Sequence, residues 1–160
     1  MRKTNTSNGI FHADLMLEFP SQFVTRTFST WIMNKVGLEQ LLVVAGFLMP
    51  DFFEVDEYLF WDQGVAECYS RVERIYTEFG DDPVTIERVS NRICLGDFLL
   101  LSADEACDND RLLEAFAHVI REFWGRALRD RFPDRQYQFE IANDLYGEDG
   151  LCITFWRVRS

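Results

Sequence analysis

The stretch from about Asp108 to Phe132 constrains the fold more than any other part of the chain. Leu112, Leu113, Phe116, Val119, Ile120, Phe123, Trp124, Ala127 and Leu128 recur at helical spacing and make one broad apolar stripe. Asp108, Asp110 and Glu114 open the stretch, and Arg126, Arg129 and Arg131 close it, the polarity that a helix dipole favours. Glu122 and Arg126 stand four apart in the stabilising order, and Pro133 ends the run. A helix of this kind is stable only with a second layer against its apolar face.

The residues after it supply such a layer. Tyr137, Phe139 and Ile141 face one way, and Gln138, Glu140 and Ala142 the other. Beyond the loop Tyr146-Gly147-Glu148-Asp149-Gly150, Leu151, Ile153 and Phe155 alternate with Cys152, Thr154 and Trp156. This pattern predicts a β-hairpin with a long loop. A tighter hairpin is predicted from Phe52–Val55 and Tyr58–Trp61 around Asp56-Glu57, although Asp-Gly would suit such a turn better.

Other helices are predicted from Ser21 to Gly37, where Phe23, Val24, Thr27, Phe28, Trp31 and Ile32 hold helical spacing, and from Val65 to Phe79, ended by Gly80. Leu38 to Phe47 is apolar nearly all round, so it is expected to be buried on most sides before Pro50 stops it. Asp82-Pro83 is a clean helix start, with the helix continuing to about Leu95 and Gly96 ending it. Val84-Thr85-Ile86 also fits a strand, and periodicity does not assign Phe98 to Leu101.

Helices and hairpins therefore alternate without βαβ order. The expected class is α+β, with four to five helices packed on a small antiparallel sheet built from two β-hairpins. No linker or repeat divides the chain, so residues 1–160 are expected to form one domain, with roughly the first ten residues disordered.

Charge limits the chemistry. The net charge is −11, with fourteen of the sixteen cations arginine. Residues 1–50 carry three acids and four bases, residues 51–114 seventeen acids and five bases, and residues 115–160 seven of each. The excess thus lies wholly in the middle segment. This argues against a nucleic-acid partner and against adhesion to anionic lipid. No signal-peptide core follows Met1-Arg2-Lys3, and the longest apolar run, Leu41 to Met49, falls short of a bilayer span. The expected location is the cytoplasm, where Cys68, Cys94, Cys107 and Cys152 would be reduced thiols.

Motif searches exclude several classes of site. Phosphate-binding glycine loops, C-x-x-C, H-E-x-x-H and G-x-S-x-G are all absent. The cysteine spacings match no zinc pattern, and no cofactor is implied. His118 lies opposite the apolar stripe between Glu114 and Glu122, which reads as a solvated helix position, and His12 has no evident partner. Asp104, Glu105, Asp108 and Asp110 fail the EF-hand pattern, because Asn109 and Ala115 stand where Gly and Glu are needed. Ser102-Ala103-Asp104-Glu105 reads instead as a capping box. In Cys107, a helix start and its acidic neighbours act in opposite senses on the thiol.

The remaining candidate is an acidic, aromatic surface. Asp51, Glu54, Asp56, Glu57 and Asp62 interleave with Phe52, Phe53, Tyr58, Phe60 and Trp61, and Asp81 and Asp82 follow. Charged outer positions on half-buried strands explain this pattern structurally. As a function, it predicts a non-enzymatic binding module, of the immunity or adaptor type, that engages a basic protein through residues 51–114. Asp51, Glu54, Asp56, Glu57, Trp61, Asp62, Asp81 and Asp82 would form its contact surface. A homodimer through Leu38–Met49 or a hairpin edge is compatible with this. The alternative is a small enzyme or ligand sensor using dispersed carboxylates such as Asp97, Glu140 or Asp144.

Overall fold

A computed structural model describes residues 36–55, 57–61, 74–102 and 104–159, with Leu15, Glu18, Phe19 and Ile32. Most of the helix predicted from Ser21 and the first part of that from Val65 lie outside the described residues. So do His12, Asp56, Asp62 and Cys68. The described chain is mixed helix and strand, with two small antiparallel sheets.

The first helix, α1, spans Leu38–Leu48, its entry fixed by the Gln40 side chain accepting the Gly37 N–H at 2.9 Å. Strands β1, Phe52–Val55, and β2, Tyr58–Trp61, pair from Phe52–Trp61 to Val55–Tyr58, the hairpin that the sequence predicts. Residues 74–79 are helical. Helix α2, Pro83–Ser90, starts on an Asp82 cap. Then come the two-residue strand β3, Ile93–Cys94, and the single turn α3, Leu95–Phe98. The long helix α4 spans Asp110–Arg131, and β4, Tyr137–Asn143, pairs along its length with β5, Leu151–Arg157.

The second sheet has the order β3-β5-β4, so it is a hairpin with an added strand rather than a hairpin alone. That added strand corrects the prediction of one helix from Asp82 to Leu95. The helix stops at Ser90 because Asn91 is drawn into a buried network and Ile93 and Cys94 pair with Ile153 and Cys152. The start of α4 also falls later than predicted. Asn109 caps it by accepting the Arg111 and Leu112 N–H groups, while Asp104 caps a separate 3₁₀ turn at Glu105–Asp108.

The main core forms between α4 and the sheets, from Leu59, Leu95, Ile120, Trp124, Leu128, Ile153 and Phe155. Trp124 sits at its centre. Its ring lies 5.0 Å from Trp61 and 5.9 Å from Phe155, and its indole N–H donates to the Phe47 carbonyl at 2.9 Å. A second cluster, Tyr58, Phe60, Ile75, Ile86 and Val89, lies where β2, α2 and the 74–79 helix meet. Neighbours on β2 thus alternate between the two clusters, as a strand period of two requires.

Between the sheets lies a polar joint. Glu87 and Asn91, one helical turn apart, are both buried. Glu87 accepts the Leu59 N–H at 2.9 Å and the Arg157 N–H at 2.7 Å, and is held by the Arg159 guanidinium at 2.8 Å. Asn91 accepts the Trp61 N–H at 3.2 Å and donates to the carbonyls of Leu59 and Phe155. Two side chains therefore satisfy backbone groups of β2 and β5 that no strand covers, which buried backbone groups require.

Two expectations are corrected here. Cys94 and Cys152 are opposed in register, with Cα atoms 4.1 Å apart, and are joined by a disulfide rather than reduced. Residues 58 positions apart give no local sign that they meet. Cys107 is a free thiol. Helix α1 was expected to be buried on most sides, yet none of its residues is buried. The rings of β1, β2 and α4 already surround Trp124, so only Phe47, at the end of α1, finds a place there.

Candidate functional site: an acidic hairpin and an apolar helix

The structure gives the acidic hairpin partners within the chain. Arg131, in the last turn of α4, lies 3.4 Å from the Asp51 carboxylate. Arg135 pairs with Glu54. Arg159 donates to the backbone carbonyl of Glu57 at 3.0 Å. Arg131 and Arg135 come from a basic group that the sequence explains by the helix dipole alone. Folding places these two arginines against β1, so the end of α4 serves two purposes.

The other predicted contact residues are dispersed. Trp61 packs into the core beside Trp124. Asp82 is committed to the α2 cap, accepting the Thr85 N–H at 2.8 Å and its hydroxyl at 2.6 Å. The hydroxyl bond and the backbone bond hold its carboxyl below the ordinary value of 3.8. Among the described residues of the set, the Trp61 ring and the Asp82 carboxylate are thus committed within the fold, while Glu57 and Asp81 face solvent.

A different surface combines the same two chemistries. Leu42 and Val43 on α1 are 64% and 72% exposed, and Leu100 and Leu101 after α3 are 74% and 98% exposed. Phe47 stacks on Phe98 at 4.9 Å, which ties α1 to α3. Beside Leu100, a shallow groove of about 370 Å³ is lined by Asp104, Glu105 and Asp108. Asp97, Glu105 and Asp108 have no ion-pair partner among the described residues. Monomeric proteins seldom leave an apolar area of this kind uncovered.

The sequence offers Leu38–Met49 as a homodimer surface while also expecting most of α1 to be buried, and it does not join that helix to the acids after Phe98. The usable signal was that α1 has no polar side chain after Glu39 and Gln40 in its first turn, while the predicted sheet is too small to cover a further helix.

The carboxylates of the enzyme alternative do not converge. Glu140 pairs with Arg88, and Asp144 accepts the Gly150 N–H at 3.0 Å, while Asp97 lies on α3. His118 is exposed, 3.8 Å from Glu114. Burial pushes the Tyr146 phenol up, and Tyr58 is pushed up to about 12 by its hydrogen bond with Tyr76 and by burial. Among the described residues no three His, Cys, Asp or Glu side chains gather as a metal site, and no helix is long and apolar enough to cross a membrane. Comparisons with models of protein families, with curated proteins and with solved structures each find no match, so the functional reading rests on surface chemistry.

Proposed function

We propose that the chain is a non-enzymatic protein-binding module that engages a basic protein partner through the second half of its acidic segment. The observation that carries this is the uncovered apolar surface of α1, Phe98, Leu100 and Leu101, bordered by Asp97, Asp104, Glu105 and Asp108. An apolar centre supplies the affinity of a protein interface, while unpaired charge at its rim steers encounter and selects the sign of the partner. The matching partner surface carries exposed aliphatic side chains flanked by Lys or Arg. An immunity-type or adaptor role fits this chemistry.

Affinity capture from a lysate of the source cells, at low and high salt, tests the proposal. The expected result is one stoichiometric basic protein, released as salt rises. It should be absent with L42D/V43D and depleted with D104K/E105K/D108K. Capture unchanged by both variants would overturn the reading. So would the chain recovering only itself, with a dimer forming in sedimentation, because the surface would then be a homodimer interface.

A further inference from the structure

On another face, α4 and β4 enclose a groove of about 470 Å³ whose chemistry is opposite to the net charge of the chain. Arg121, Gly125, Arg129, Arg135 and Phe139 line it, with one carboxylate, Glu122, which is paired with Arg126. Gly125 gives the groove its depth. A Cβ there would lie 3.4 Å from the Arg129 guanidinium and 3.7 Å from the Phe139 ring.

Two of the three arginines of this groove depart from the commoner pattern of the molecule. Seven arginines among the described residues, 88, 92, 111, 126, 131, 135 and 159, form ion pairs with carboxylates. Arg121 and Arg129 do not. Arg74, elsewhere, and Arg157 also form no ion pair among the described residues. Arg157 lines a cleft with Glu57, Asp134 and Arg159 that shares Arg135 and Gln136 with the groove. In a chain with more acids than bases, cations left without a carboxylate on one continuous surface stand out. Tyr137 lines the same groove, its hydroxyl buried without a hydrogen-bond partner.

The groove also runs beside an open backbone. In the order β3-β5-β4, strand β4 is at the edge, so one side of Tyr137–Asn143 pairs with β5 and the other with no strand among the described residues. An edge of this kind accepts an extended chain through main-chain hydrogen bonds, with neighbouring pockets reading alternate side chains.

We infer that this groove is a docking site for an extended acidic segment of a partner protein. The segment adds to the edge of β4, and its Asp or Glu side chains meet Arg121 and Arg129. The guanidinium fork suits carboxylates as bidentate acceptors. This site is separate from the surface of α1, and it does not depend on the function proposed above.

The test uses the full chain and an acetylated octapeptide of alternating Glu and Val as probe. Fluorescence anisotropy should show binding that weakens with salt. It should be about tenfold weaker for R121E/R129E, given two exposed pairs of modest strength. Both arginines are exposed, so unchanged circular dichroism will confirm that the variant is folded. Bound probe should slow amide exchange in residues 137–143. Three results would overturn the inference. One is equal binding of a Ser-Val octapeptide, and another is equal binding by R121E/R129E. The third is displacement of the probe by inorganic phosphate with no protection of β4, which would make the groove a small-anion site.

Discussion

The hairpin stretch 51–62, with five acids, and the stretch 97–108, with four, carry similar charge and meet different fates. In the hairpin, Asp51 and Glu54 pair with arginines from beyond residue 130, and the rings between them are turned into the core. From Asp97 to Asp108, four carboxylates have no ion-pair partner among the described residues, and the apolar residues beside them are exposed. A local charge excess therefore does not identify an interface. Asp51 and Glu54 of the hairpin have arginine partners in the same chain, whereas the stretch with more ordinary composition keeps its charge available.

The sharpest way to break this contrast is through the buried joint that holds the hairpin to β5. Glu87→Ala removes the acceptor of two backbone N–H groups and strands the Arg159 guanidinium. Urea unfolding should show a loss of about 3–5 kcal/mol. A loss below about 1 kcal/mol would mean that the hairpin is held by apolar contacts alone.

Asp82→Ala should cost about 1 kcal/mol, the usual effect of losing an N-cap. The sign of its pH dependence follows from the lowered carboxyl. Because the folded value lies below the ordinary 3.8, the stabilisation is present above that pH and is lost as pH falls through the folded value. The difference between wild type and variant should thus be constant near neutrality and should shrink in acid. Asp82→Asn should keep most of the cap and lose this dependence.

A smaller effect is expected from the hairpin ion pairs. A double-mutant cycle on Glu54→Ala and Arg135→Ala should give a coupling of about 0.2–1 kcal/mol, the range for partly exposed pairs. The smallest effect belongs to the other stretch. D104N/E105Q/D108N should change stability by no more than about 0.5 kcal/mol, because these side chains form no ion pairs and Asn can still cap. A large change there would show that the second stretch also has a structural duty, and the contrast would fail.

The parts of the fold legible in the sequence are those specified by local pattern. The stripe on α4, the alternation in β4 and β5, and the Asp82-Pro83 start each depend on residues a few positions apart. Both hairpins follow the same logic. What the pattern does not contain is the meeting of distant pieces. Glu87 and Asn91 look like a solvated helix face until Leu59 and Phe155 arrive beside them. Strand β3 is too short for alternation to show, and it exists through its pairing with β5. The candidate surface was half legible. Its acids are plain in the sequence, but the exposure of α1 depends on how much sheet is left once Trp61, Phe52 and Phe155 surround Trp124.

The bridge between Cys94 and Cys152 ties the persistence of this fold to the electron balance of its surroundings. It closes a loop that contains α4, which gives Ala117, Ile120, Trp124 and Leu128 to the main core, and β4, whose rings pack against that core. For residues 58 apart, chain-entropy reasoning assigns such a closure about 4 kcal/mol. That is a large share of the roughly 5–15 kcal/mol by which a domain is stable at all. The same sequence would thus have two lifetimes, one under oxidising conditions and a shorter one where glutathione keeps thiols reduced. In the reducing case the joint at Glu87 and the packing around Trp124 must hold the sheets together alone.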